Sequence, residues 1–514
     1  MLKDRLKPVI AVLISALVLM TSCKATVMLA TPDAGNDSYV YYNGGEISGM
    51  PYEEQTAPQT TTAAQSTTQS PDKTTASASQ STAESTPQSS DITTSATAEQ
   101  TPAPQTSATT PAPQTEKPST TTTTKAATST KTPAAVPNDN LPVNSYNALN
   151  YDTVKGVWIT YFELYPILTG KTASQFRTGI GQYYDNAKSL GINTVYVHVR
   201  PYGDALYNSA YYPWSKYCTG TIGIKPDFDP LTIMVEEAHK RNLSFQAWIN
   251  PLRCYHQDDA PKVADSYTTK KWYNNNDGDY IVKVNGYWYL NPAYSAVREL
   301  IALGVAEIVA NYNVDGVHID DYFYPTTEKW FDSTAYGASS YTSLSDFRLD
   351  NCSKMVSEMY SAVKSHNRTA LFGVSTQGNI SNNVFTLYAD VEKWCAEPGY
   401  ADYMAPQIYY GFENTAQPFD IVVQQWDNML AGTGKKLIPG LAVYKIGVED
   451  TWAGGGVYEW INNTDMIKRQ IQYSQTANTY GGVVLYSYQY IFSPESNVAA
   501  AVQKEIDAIK PIFG

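Results

Sequence analysis

From about Val143 to Gly514, short strand-like runs and longer helix-like runs take turns eight times along the chain. The strand-like runs are Gly156–Tyr161, Asn193–Arg200, Leu243–Asn250, Asp315–Asp320, Ala370–Ser375, Asp402–Tyr409, Leu437–Tyr444 and Gly482–Tyr488. The intervening helical patterns are Ser174–Leu190, Asp229–Arg241, Ala293–Tyr312, Ser345–His366, Tyr388–Cys395, Gln417–Ala431, Asp465–Ala477 and Ser496–Lys510. Asp229-Pro230 opens the second of these with an N-cap and a first-turn proline. Parallel strands need crossover helices, and so regular an alternation predicts an α/β fold, a (β/α)₈ TIM barrel. An open doubly wound sheet would carry a glycine-rich phosphate loop after its first strand, and none is present.

Side chains alternate faces along a strand. In a parallel barrel the branched apolar set packs outward on helices and the other set faces the axis. Val195, Val197 and Val199 are therefore expected outside, with Tyr196, His198 and Arg200 inside. Phe245, Ala247 and Ile249 leave Gln246, Trp248 and Asn250 inside. Val317 and Ile319 leave Gly316, His318 and Asp320 inside. Gln377 and Gln407, with Tyr444 and Tyr488, complete one polar and aromatic mouth at the C-terminal ends of the strands. That rim is where barrel enzymes keep their chemistry.

The segment Asp315-Gly-Val-His-Ile-Asp-Asp-Tyr-Phe-Tyr-Pro325 ends a strand in two adjacent carboxylates among aromatic rings. Glycoside cleavage uses two carboxyl groups about the scissile bond. Asp320 is expected as nucleophile or base, its proton affinity lowered by Arg200 nearby. Asp321 would point the other way on a regular strand, or turn into the mouth as the loop begins. The proton donor is sought at another strand end, among Glu163, Asp204 and Glu413. Glu163 is favoured because apolar rings near it would raise its pKa, whereas Asp204 suits an ion pair with Arg200. Sugar faces stack on aromatic rings while hydroxyls seek amides. Tyr202, Trp214, Trp248, Trp288, Tyr322, Tyr324, Tyr410 and Tyr488, beside Asn250, Gln377 and Gln407, read as a glycan cleft. His198, Arg200, Asp204 and His318 join them as candidate substrate-binding residues. No H-E-x-x-H, P-loop, G-x-S-x-G or dinucleotide signature occurs, and the histidines are scattered, so no metal and no cofactor is expected.

The remainder of the chain is of another kind. Residues 1–23 have a basic start, a short apolar run from Pro8 to Met20, and Thr21-Ser22-Cys23, the layout of an export signal with a lipobox. Cys23 is the expected lipidation site, which would place the protein outside the cytoplasm on the bacterial membrane, or free if the lipobox is unused. The membrane is contacted through that lipid alone. Residues 24–142 are expected to be a disordered tether; Pro58 to Pro137 is almost wholly Thr, Ser, Ala, Gln and Pro. The globular domain is 143–514, expected to be monomeric. A formal net charge of -13 with no basic stripe argues against nucleic acid. Cys218, Cys254, Cys352 and Cys395 lack metal spacing and read as free, partly buried thiols.

Several stretches resemble the family 10 glycosyl-hydrolase-like proteins, bacterial barrel proteins. They are Gly156-Val-Trp-Ile-Thr-Tyr-Phe-Glu163, Val199-Arg-Pro-Tyr-Gly-Asp-Ala-Leu-Tyr207, Phe228-Asp-Pro-Leu231, Ala247-Trp-Ile-Asn-Pro251, Asp315–Pro325 and Ala405-Pro-Gln-Ile-Tyr-Tyr410. The resemblance runs from about Tyr151 to the C-terminus. It implies a (β/α)₈ fold and hydrolysis of glycosides, with cell-wall glycan of the peptidoglycan type as leading substrate. Asp320-Asp321 matches the family's acidic fourth-strand motif. The fifth strand, Gly373-Val-Ser-Thr-Gln-Gly378, departs from relatives that carry proline and phenylalanine after the serine. Two other readings stay open: a glycan-binding barrel without chemistry, and a hydrolase of an external polysaccharide.

Overall fold

A computed structural model describes residues 140–275 and 279–514, together with the backbone of two short strands. Those strands, Val40–Asn43 and Glu46–Gly49, pair antiparallel within the stretch expected to be a tether. The expected signal, Cys23 and nearly all the rest of that stretch lie outside the described residues.

The barrel strands are β1 Val154–Ile159, β2 Thr194–Arg200, β3 Ser244–Ile249, β4 Gly316–Ile319, β5 Leu371–Val374, β6 Tyr403–Met404, β7 and β8 Gly482–Tyr486. Here β7 comprises Lys436–Leu437 and Gly440–Ala442, two pieces separated by Ile438-Pro439. The first piece pairs with β6 and the second with β8, so the two ends of the sheet are one strand and the sheet closes on itself. Every pairing around the ring is parallel. The strands occupy the expected positions, trimmed by a residue or two. The largest differences are at β6, which is regular only over Tyr403–Met404, and at β1, where Tyr161 begins a helix instead of ending a strand.

The expected facing holds for most of the barrel. Val157, Val195, Val197, Phe245, Ala247, Val317, Ile319, Phe372, Val374 and Met404 are buried in the layer between barrel and helices. Trp158, Tyr196, Trp248, Tyr403 and Val484 form a second, separate cluster inside the ring. Each fully buried aliphatic side chain contributes about 1.5–3 kcal/mol, so a slip of one residue, which exchanges the two faces, is strongly disfavoured. Inward glycines make room for the rings. A Cβ on Gly373 would fall inside the Tyr403 ring, and one on Gly156 would sit 2.8 Å from Tyr196.

One strand breaks the alternation. The register of β2 against β3 slips between His198 and Arg200, which face Trp248 and Ile249. The extra residue is a β-bulge, which re-aims the side chain after it.

Two features were not foreseen. After β3 the chain makes a three-stranded antiparallel sheet from Arg253–His256, Ile281–Val284 and Tyr287–Leu290. And residues 140–150 lie across the N-terminal end of the barrel. Asn144 Nδ2 donates to the carbonyls of Val309 and Tyr312, where a helix ends. Tyr146 Oη and the Leu149 amide both donate to Asp315 Oδ1, just before β4. Among the described residues no helix is long and apolar enough to cross a membrane.

Candidate active site

β4 ends at Ile319, so Asp320 and Asp321 fall where the chain leaves the strand. Both turn into the mouth, and partners from three neighbouring strand ends hold them apart. Trp248, on β3, donates its Nε1–H to Asp320 Oδ2 at 3.0 Å, and the Tyr322 amide adds a longer contact of 3.4 Å to Oδ1. Gln377 and Gln407, beyond β5 and β6, donate their amide nitrogens to Asp321 at 3.1 and 3.0 Å. The Gln377 amide is itself oriented by Asn382, whose Nδ2 donates to Oε1.

The two carboxyls differ electrostatically. Burial raises Asp320 well above the usual carboxylate range, and the adjacent Asp321 charge adds to the rise. Burial raises Asp321 as well, but its two amide donors pull it back. A nearby cation lowers both, and that cation is Arg253. Its guanidinium lies over the rings of Tyr202 and Tyr322, 4.1 and 4.5 Å from their centroids, and donates to Tyr202 Oη at 2.6 Å. Sequence reasoning missed Arg253; its only signal is its place three residues beyond Asn250, in the loop after β3.

Arg200, expected beside Asp320, is elsewhere. The bulge in β2 turns it to the outer side, where its guanidinium stacks over Tyr212 at 4.5 Å with no hydrogen-bond partner. Nor does it pair with Asp204. That carboxyl is buried near Ser215 and Lys216, and burial raises it to about 6. Glu163, the expected proton donor, is an N-terminal cap. Its Oε2 accepts from Thr160 N and Oγ1 at 2.5 and 2.9 Å, completing a capping box on helix Tyr161–Leu168. Its Oε1 accepts from Ser487 Oγ and Gln489 N at 2.7 and 2.6 Å. Four donors thus fill the carboxylate. Glu413 is exposed on the loop after β6.

His198 stacks on Trp248 with ring centroids 3.4 Å apart. Burial lowers its pKa well below the usual value, so it is neutral. Neither ring nitrogen has a hydrogen-bond partner, and the same is true of Asn250 Oδ1, although that amide is close enough to favour a proton on the ring. Asn250 Nδ2 donates to Pro201 O. His318 lies deeper and fills the barrel. Trp158 Nε1–H donates to its Nε2, which leaves Nδ1 to donate to Tyr403 Oη, both at 3.1 Å. Burial takes its pKa down to about 3.

Of the aromatic candidates, Tyr322 and Trp248 stand beside the acid pair. Tyr324 is buried among Phe331, Tyr388 and Arg348. Tyr410 lies against Gly378. Tyr488 stacks on Tyr183 at 4.1 Å and bonds Asn186, on the outer helix. The inward position on β8 belongs to Tyr486, which packs against Trp158, Tyr409 and Tyr444. Tyr409 is near enough to both carboxyls to feel their charge. No group of three or more metal-ligating side chains occurs among the described residues. Cys218, Cys254, Cys352 and Cys395 are buried and free.

The glycosyl hydrolase YngK of Bacillus subtilis is 32% identical over 324 residues, a match spanning 58% of this chain and 62% of that protein. The glycosyl hydrolase DigH of Escherichia coli K12 is 31% identical over 351 residues, covering 62% of this chain and 76% of the relative. Among solved structures, the PgaB glycoside hydrolase domain of Bordetella bronchiseptica aligns with a TM-score of 0.45 at 14% identity, over 70% of this chain and 99% of that one. The family model for "Glycosyl hydrolase-like 10" matches residues 153–453, and the chain belongs to that family.

Proposed function

We propose that the protein is a glycoside hydrolase of cell-envelope glycan, with Asp320 and Asp321 sharing the work of acid and charged carboxylate. One observation carries this reading: two adjacent carboxyls, Asp320 buried and Asp321 half-buried, enter one aromatic mouth, each held by different partners. Two such groups side by side do not ionise together easily, and their environments set which one keeps the proton. Asp321, with two amide donors, is the better anion. Asp320, with one indole donor and a charged neighbour, is the better acid. Asp320, expected as nucleophile or base when Arg200 was taken to stand beside it, thus takes the role of acid in place of Glu163. His198 and Asn250, neutral and with unmet hydrogen-bonding capacity, suit sugar hydroxyls. Tyr322, half-buried at the mouth, offers the ring face that Arg253 does not cover.

The envelope as workplace is supported by the lipobox-like Thr21-Ser22-Cys23 and the Thr/Ser/Pro-rich stretch. Two relatives named glycosyl hydrolases support the reaction class. The test is release of soluble fragments from purified peptidoglycan by the wild type, Asp320→Asn and Asp321→Asn. Each variant is expected to lose about a hundredfold or more in turnover. Undiminished turnover in both variants rejects the assignment, and tight glycan binding without turnover by the wild type returns the non-catalytic reading.

A further inference from the structure

Four large apolar side chains stand out from the C-terminal rim on one short stretch of chain. Val448, Trp452, Tyr458 and Ile461 are each 44–52% exposed. They belong to the loop after β7, residues 443–463. That loop doubles back on itself: Gly447 N donates to Trp460 O and Asp450 N to Val457 O, at 3.0 and 2.9 Å. One narrow projection therefore bears all four. Clustered exposed apolar groups of this kind mark a binding surface.

The projection is firmly held, and it is held against the mouth. The buried Glu459 carboxylate accepts from the amides of Phe412 and Glu413, in the loop after β6. Thr415 of that loop donates its N–H to Ala453 O, and its Oγ1 accepts from Gly455 N at 2.9 Å. A Cβ on Gly456 would meet the Glu413 backbone at 2.7 Å, so the Gly454-Gly455-Gly456 run lets the two loops lie flush. Lys445 Nζ pairs with Asp450 at 2.7 Å and donates to Tyr409 O at 2.8 Å. The Tyr409 ring packs at 5.7 Å on Tyr444, at the start of the same loop, and lies close to both carboxyls of the acid pair. The surface is thus continuous with the site.

We propose that the projection is an outlying sugar subsite: Trp452 and Tyr458 stack on pyranose faces of the same chain whose scissile bond lies at Asp320 and Asp321. The inference rests on the glycosidase reading above and adds a second binding site and a preference for long chains. Continuity with the mouth commits the surface to the chain that enters there. Pyranose rings present flat C–H faces to aromatic rings, and their hydroxyls take hydroxyls and amides; Thr451 and Asn462 are exposed on the same projection. A loop fixed on a rigid scaffold is where binding residues are carried. Contacts made away from the reacting centre tighten binding of substrate and transition state alike, so they lower KM and leave kcat unchanged.

The full-length protein is given peptide-free peptidoglycan strands sorted by length, tetrasaccharides against long strands. Turnover is measured for the wild type and for the double variant Trp452→Ala, Tyr458→Ala. Binding is measured by isothermal titration calorimetry with each protein also carrying Asp320→Asn. The wild type is expected to have the lower KM on long strands. The double variant should raise that KM about tenfold, with kcat unchanged and both constants unchanged on the tetrasaccharide. The calorimetric Kd for long strands should rise in step, and Trp452→Phe, which keeps a ring face, should retain most of the affinity. Equal losses on both lengths, a fall in kcat with KM unmoved, or wild-type constants in the folded double variant overturn the inference and leave the glycosidase reading standing. Absence of turnover by the wild type removes the glycosidase reading, and calorimetry then decides the subsite alone. Long strands that bind both proteins equally, or bind neither, overturn it.

Discussion

Glu163→Gln separates a structural cap from a catalyst. Each oxygen of Glu163 accepts one backbone N–H and one hydroxyl, at 2.5–2.9 Å. A glutamine keeps one acceptor oxygen and must turn its NH₂ toward either Thr160 or the Ser487–Gln489 side. The hydroxyl on that side can rotate to accept, but the backbone N–H cannot. One charge-assisted bond is therefore lost outright and the others become neutral ones. Hydrogen bonds to charged groups contribute about 1.5–3 kcal/mol each. The loss is partly offset because a buried charge no longer needs compensation; burial is the main cause of the raised Glu163 pKa. Because the raised pKa shows that the four bonds do not fully offset burial of the charge, the net cost is about 1 kcal/mol, that of the backbone N–H left facing the NH₂. Urea unfolding followed by tryptophan fluorescence should show a lower midpoint with an unchanged slope. Glycan turnover, measured where both proteins are folded, should stay within a few-fold of wild type. An unchanged midpoint with turnover reduced about a hundredfold or more refutes the capping account and restores Glu163 as the proton donor.

Three further outcomes follow from the same geometry. Asp320→Asn should stabilise the fold at pH 8, because folding raises the pKa of this carboxyl and its ionisation therefore favours the unfolded chain; the gain over wild type should shrink as pH falls and vanish below about 4, where the carboxyl is protonated in both states, and equal urea midpoints at pH 8 would contradict it. Arg253→Met removes the cation that lowers both carboxyls, so the acidic limb of the kcat/KM profile should move to higher pH; a profile that stays in place excludes Arg253 from the pair's electrostatics. The buried thiols Cys218, Cys254, Cys352 and Cys395 should resist a thiol reagent in the folded protein and react in denaturant without reductant; burial, the largest cause, pushes Cys395 up to about 12, and thiols that appear only after reduction would reveal disulfides.

The barrel was legible because its strands are buried on both faces and still sort their residues. Valines 195 and 197 pack on helices while Tyr196 fills the interior, and only a closed parallel ring demands both. The acid pair was legible for the same reason. What escaped the alternation rule escaped through local departures from a regular strand. A single extra residue in β2 sent Arg200 outward. The end of β4 at Ile319 freed Asp321 to turn inward beside Asp320. Arg253 enters from a small sheet inserted after β3, whose strands carry no signal of where they dock. Glu163 shows a different blind spot. Thr160 and Glu163 have the spacing of a capping box, which was legible, but the two further donors come from Ser487 and Gln489, more than 300 positions away.

The segment from Asn140 to Asn150 is fastened beneath the barrel, on Asp315 and the helix ends, at the end opposite the acid pair. Traction applied through the upstream chain would load Asp315 and its neighbours before it reached the catalytic loops.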